Sequence, residues 1–111
     1  MNDGLPTDLV IAAKIRQAAQ EGVSLYIANK GDPTSGTILL KINTLDGWIR
    51  ILAQINLDGQ KAWAPAFPAP ISEPEADAYI AGQLDFDPDL WVIEIEDKKG
   101  RLWFEGRVLE G

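Results

Sequence analysis

The chain has 111 residues, 46% of them hydrophobic and 24% charged, with a formal net charge of −7, which is the length of one domain and the mix of an ordinary folded protein. It contains no cysteine and no histidine, which excludes disulfide staples, thiolate nucleophiles, cysteine-based metal sites and imidazole acid–base chemistry. The acidic balance repels phosphate backbones and anionic lipid, so neither nucleic acid nor a membrane is expected as a partner.

Met1 to Pro6 lack the basic and apolar regions of a secretory signal, and no apolar run approaches the ~20 residues that span a bilayer. A single cytoplasmic domain over residues 1–111 is the expectation. Leu9 to Glu21 reads as a helix, with Thr7 or Asp8 as its cap and Gly22 as its stop. Ile11, Ile15, Ala18 and Ala19 form its apolar face. Ser24–Ala28 and Thr37–Asn43 are β-rich runs, and the turn residues from Asn29 to Gly36 between them suggest a long hairpin loop. Asp46-Gly47 and Asp58-Gly59 then punctuate strands over Trp48–Ile55 and Lys61–Ala64, which gives an antiparallel meander with one apolar and one mixed face.

Pro65-Ala66-Phe67-Pro68-Ala69-Pro70 cannot donate ladder hydrogen bonds at its prolines and reads as an extended linker or sheet-edge segment. Ser72-Glu73-Pro74-Glu75 is a capping box opening a second helix to about Leu84, with Ala76, Tyr79, Ile80 and Leu84 as its buried stripe. Asp87-Pro88-Asp89 breaks it. Leu90 to Ile93 is apolar on both faces and belongs inside a sheet. Asp97-Lys98-Lys99-Gly100 reads as a hairpin turn returning a last strand over Arg101–Glu105. The fold class is therefore α+β, an antiparallel sheet of five to six strands with two helices in the order α-β-β-β-(β)-α-β-β.

Motifs that carry chemistry are sparse. Gly31 to Gly36 has the glycine spacing of a phosphate loop, but Thr37 stands where lysine is needed and a strand follows, so a turn is the better reading. Asp85, Asp87, Asp89 and Glu96 echo calcium-loop spacing, but Leu90 replaces the required glycine, so capping of a short turn is favoured and no cofactor is expected. From Glu73 to Asp97 there are nine acids and no Lys or Arg. Within that block Glu94, Glu96 and Asp97 could pair with another carboxylate as general acid and base, although a charge run at a strand end is usually solvated. Of four tryptophans, Trp91 has apolar neighbours and should be buried, whereas Trp63, beside the proline-rich stretch, is a candidate for partial exposure at an interface.

Gly31-Asp32-Pro33, Gly36 to Asn43 and Leu45-Asp46-Gly47, together with Phe86 to Asp97 and Gly100-Arg101, resemble the Domain of Unknown Function 1491 family. The resemblance implies a short alphaproteobacterial cytoplasmic protein and supplies no site residues. The residues themselves point to a small non-catalytic binding or assembly module acting on a protein partner or on itself. Trp63, Phe67, Asp87, Asp89, Glu94 and Glu96 are its candidate interaction surface. A carboxylate-dependent enzyme and an acidic decoy for a nucleic-acid-binding protein are the alternatives.

Overall fold

The computed structural model describes residues 5–109. Its elements are α1 (Thr7–Ala19), β1 (Ser24–Asn29), β2 (Ile38–Asn43), β3 (Ile49–Leu57), β4 (Gln60–Pro65), α2 (Glu73–Phe86), β5 (Trp91–Glu96) and β6 (Arg107–Val108). One six-stranded sheet has the order β1-β5-β2-β3-β4-β6. The class is α+β as the sequence implied, but the sheet is mixed: β2 runs parallel to β5, and β4 runs parallel to β6.

Two hairpins expected from the sequence do not form, for one shared reason. β5 begins as a run apolar on both faces and inserts between β1 and β2, so those two strands are not neighbours. With both edges of β5 occupied, the chain after the Asp97–Gly100 turn has no edge to return to. Residues 101–106 instead cross one sheet face, burying Phe104, and the last strand is the short β6 beside β4.

Two cores result, one on each side of the sheet. Ile11, Ala18, Leu25, Ile38, Leu40, Ile42, Leu52, Trp63, Trp91, Ile93, Ile95 and Phe104 fill the side covered by α1 and the crossing segment. Leu39, Ile49, Ile51, Ala76, Ile80, Leu90 and Val92 fill the side under α2. Alternation along each strand distributes these residues to opposite faces. Trp63 is fully buried, with its indole N–H donating to the Glu105 carbonyl at 2.9 Å, so it is part of the core and not of any exposed surface.

The helix ends follow their local chemistry. Ser72 and Glu75 form the capping box of α2 as expected. At α1 the N-cap is Pro6, and no side chain caps the helix. The Thr7 hydroxyl donates instead to the Thr34 and Gly36 carbonyls at 3.4 and 3.3 Å, fastening α1 to the 30–37 loop. Gly22 adopts φ +73° and ends the helix turn; Ala19 faces solvent, and Lys14 joins Ile11 and Ala18 on the buried face.

The Gly31–Gly36 loop packs against the start of β5. The Trp91 indole N–H donates to the Asp32 carbonyl at 2.7 Å, and the Asp32 amide donates to the Asp89 carbonyl at 3.0 Å. A Cβ on Gly36 would sit 2.7 Å from Trp91 Cδ1, closer than packed carbon atoms tolerate. The two sequence blocks that carry the family resemblance therefore meet in space, and their glycines admit the Trp91 ring.

Candidate functional site

On the α2 side of the sheet the apolar pattern breaks in one place. Lys41 on β2 pairs in register with Glu94 on β5, and Glu94 pairs with Tyr26 on β1, so the three form one row across adjacent strands. Lys41 is 5% exposed and Glu94 7%. An ammonium and a carboxylate this deep need partners. Lys41 Nζ lies 2.8 Å from Glu73, 2.9 Å from Asp77 and 3.5 Å from Glu94, so two acids of α2 and one of β5 converge on it. The capping box sets the start of α2 and thereby places Glu73 and Asp77, four residues apart, on the helix face above Lys41.

The electrostatics drive these groups away from neutral pH. Burial by itself would lower the Lys41 pKa, but the hydrogen bonds it donates to Glu73 and Asp77 and the charge of Glu94 outweigh it and raise it above the usual lysine value. Burial of the Tyr26 hydroxyl, its hydrogen bond to Glu94 and the charges of Glu94 and Glu96 push the phenol up to about 12. Lys41 is thus held as an ammonium and Tyr26 as a neutral donor.

Asp97, one residue past β5, is a second buried acid. Desolvation would raise its pKa, but the Arg101 guanidinium at 2.8 Å, the amides of Lys99 and Arg101 and the Trp103 indole hold it down at about 2. Arg101 also reaches Glu21 at 2.8 Å and lies over the Trp103 ring. Trp103 sits at φ +68°, a conformation that bulky residues rarely adopt, held there by these contacts.

The candidate residues drawn from the sequence separate. Glu94 and Glu96 lie on the same face of β5, Glu94 buried and Glu96 half-buried. Burial of Glu94 and Asp97 corrects the expectation that the run at this strand end is solvated. Asp87 and Asp89 are exposed at the other end of β5, where the Asp87 carboxylate accepts the Asp89 amide at 3.1 Å in the turn before the strand. Phe67 is half-buried, edge-on to Tyr79 at 5.1 Å, and belongs to the α2 core. Among the described residues no three acidic side chains gather as metal ligands.

Lys41 and Tyr26 went unrecognised in the sequence. Lys41 did carry a signal, being the one charge in a strand whose other residues, Asn43 apart, are apolar. Its acidic partners come from α2 and β5, which only the topology brings together.

Beside this row, β1 is an edge of the sheet. Tyr26 and Ile27 are 41% and 42% exposed, and Ser24 and Ala28 face solvent as well. The strand has no charge and no proline, and its one irregularity is a register shift between Ile27 and Asn29. The opposite edge, β6, is only two residues long and includes Arg107. Short or charged edges resist pairing with other chains, and β1 is neither.

A family model described as "Protein of unknown function (DUF1491)" matches residues 5–105. The crystal structure of a DUF1491 family protein from Caulobacter crescentus CB15 is 36% identical, with a TM-score of 0.85 over 95% of this chain and 99% of that one. The NMR structure of a DUF1491 family protein from the same organism is 35% identical, with a TM-score of 0.83 over 96% and 97% of the two chains. The solution structure of protein Atu0922 from A. tumefaciens, 22% identical with a TM-score of 0.72 over 84% and 86%, shares the fold. No curated protein matches. Among the described residues no helix is long and apolar enough to cross a membrane. Since the family match runs through both quoted sequence blocks and the solved relatives align over nearly their whole length, the chain belongs to the DUF1491 family.

Proposed function

We propose that the protein is a non-catalytic binding module that accepts an extended, basic segment of a partner protein along β1. The observation that carries this reading is the open, uncharged β1 edge, with Tyr26 and Ile27 exposed on a strand that borders Glu94 and Glu96. An open edge supplies unpaired amides and carbonyls to an added strand, and alternate side chains of that strand then meet the two sheet faces. On the α2 side, lysines of the incoming strand would pass over Ser24 and Tyr26 toward a region where Glu73, Asp77 and Glu94 converge on Lys41 and Glu96 follows on the same face of β5. The chain's net charge of −7 adds long-range attraction for a basic partner.

The state of these titratable groups favours recognition over proton transfer. Lys41 is held charged, the Tyr26 phenol is moved further from neutrality, and Asp97 is engaged by Arg101, Trp103 and backbone amides. General acid–base work calls for a group poised near the operating pH.

The test is titration of isotope-labelled protein with an octapeptide of alternating lysine and valine, followed by amide chemical shifts. Perturbations should centre on Ser24 to Ile27, weaken steeply with added salt, and disappear in Ile27→Lys, which installs an edge-protecting charge. Saturable binding that maps elsewhere, or no binding at millimolar peptide, refutes the proposal.

A further inference from the structure

A second surface lies at the β2–β3 turn. Leu45 and Trp48 are 51% and 53% exposed there, on a turn fixed by its own hydrogen bonds. The Thr44 hydroxyl donates to Asp46 Oδ1 at 2.6 Å, the Trp48 amide donates to the same oxygen at 3.2 Å, and the Leu45 amide donates to Asn43 Oδ1 at 2.8 Å. Leu45 is held at φ +63°, unusual for leucine. A large apolar side chain presented by a rigid turn loses little freedom when it is covered.

Trp48 borders a shallow groove of about 290 Å³ with Thr44, Asp46 and Pro70. Through Pro70 this groove meets a second one, about 360 Å³, lined by Arg50 and the 65–70 segment. Pro68, Ala69 and Pro70 are exposed, and the segment is tied down at both ends, by the Ala66 amide on the Ile51 carbonyl at 2.9 Å and by the paired Ile49–Ile71 bridge. An exposed tryptophan and a proline-rich ridge therefore sit side by side, and proline-rich segments dock on aromatic surfaces with little loss of entropy.

Charge decides the occupant. Copies of a chain with net charge −7 repel one another over most approaches. This patch is balanced, with Asp46 at one groove and Arg50 at the other. Among the described residues Arg50 has no ion-pair partner in its own chain. A two-fold contact brings each element of a patch onto its complement in the second copy. We propose that the occupant is a second copy of this chain, with Trp48 of each protomer on the Pro68–Pro70 ridge of the other and Asp46 facing Arg50 across the axis. Mutual repulsion between two chains that each carry a net charge of −7 makes this association weak. This surface is separate from β1 and does not rest on the peptide-binding reading.

Sedimentation equilibrium of the full chain, from micromolar to millimolar protein, tests the proposal. The weight-average mass should rise toward that of a dimer, and Trp48→Ala and Arg50→Glu should each weaken association by about tenfold or more. Both residues are exposed, so the variants should fold, and an unchanged melting temperature at low concentration verifies it. Ile27→Lys should dimerise as the parent does. A parent that remains monomeric at millimolar concentration, or dimerisation indifferent to both patch substitutions, overturns the inference.

Discussion

Replacing Lys41 by methionine removes a cation of similar length and reach from beneath α2. Glu73 and Asp77 are about half exposed and can turn to water, but the Glu94 side chain is 9% exposed and cannot. Breaking a buried ion pair from one side typically costs about 3–5 kcal/mol, because an uncompensated charge remains. In a domain of this size about 3 kcal/mol lowers the melting temperature by roughly 12 °C or more. The double variant Lys41→Met/Glu94→Leu removes both charges and fills the row with apolar volume, and such replacements range from neutral to stabilising. Urea unfolding of parent, singles and double at pH 7 forms a cycle in which the double should recover most of the loss. Because the Lys41 pKa is raised on folding, the stability it confers is fully present below the unfolded lysine value and is lost as pH rises through the higher folded value. A loss below about 0.5 kcal/mol in Lys41→Met, or a double variant as unstable as the sum of the singles, would refute the picture of an electrostatically required row.

Asp97→Asn should cost about 2 kcal/mol at pH 7, from a carboxyl lowered from 3.8 to about 2. That contribution is present above the unfolded value and is lost as pH falls through the folded one, so parent and variant should converge near pH 2 in acid unfolding; a constant gap down to pH 2 would contradict it. Gly36→Ala should destabilise by about 1–3 kcal/mol and alter Trp91 fluorescence, because its Cβ meets Trp91 Cδ1 at 2.7 Å and the Asp89 carbonyl at 2.8 Å. Gly82→Ala is the contrast, since nothing lies within 4 Å of its Cβ inside α2, and it should stabilise by up to about 1 kcal/mol in the same urea assay.

Local chemistry was legible wherever it is local. Ser72 and Glu75 specify the start of α2 because their reciprocal hydrogen bonds span three residues, and Ala76, Tyr79, Ile80 and Leu84 show its buried stripe because a helix repeats every 3.6. The run from Leu90 to Ile93 declared an interior strand by being apolar on both faces. By contrast, strand neighbours were misread at both ends of the chain. Turn residues after β1 and after β5 mark where the chain bends, and they carry no information on which edge is free to receive it.

The candidate site shows the same division. Amino-acid sequence alone fixed the missing imidazole and thiol, the acidic block and the odd lysine in β2, all properties of composition and pattern. Tertiary structure decided that Glu73, Asp77 and Glu94 enclose Lys41, that Trp63 belongs to the core, and that β1 and Trp48 face solvent. The physical reason is that burial and pairing are set by contacts between residues tens of positions apart, and the insertion of β5 between β1 and β2 determines which of those contacts exist.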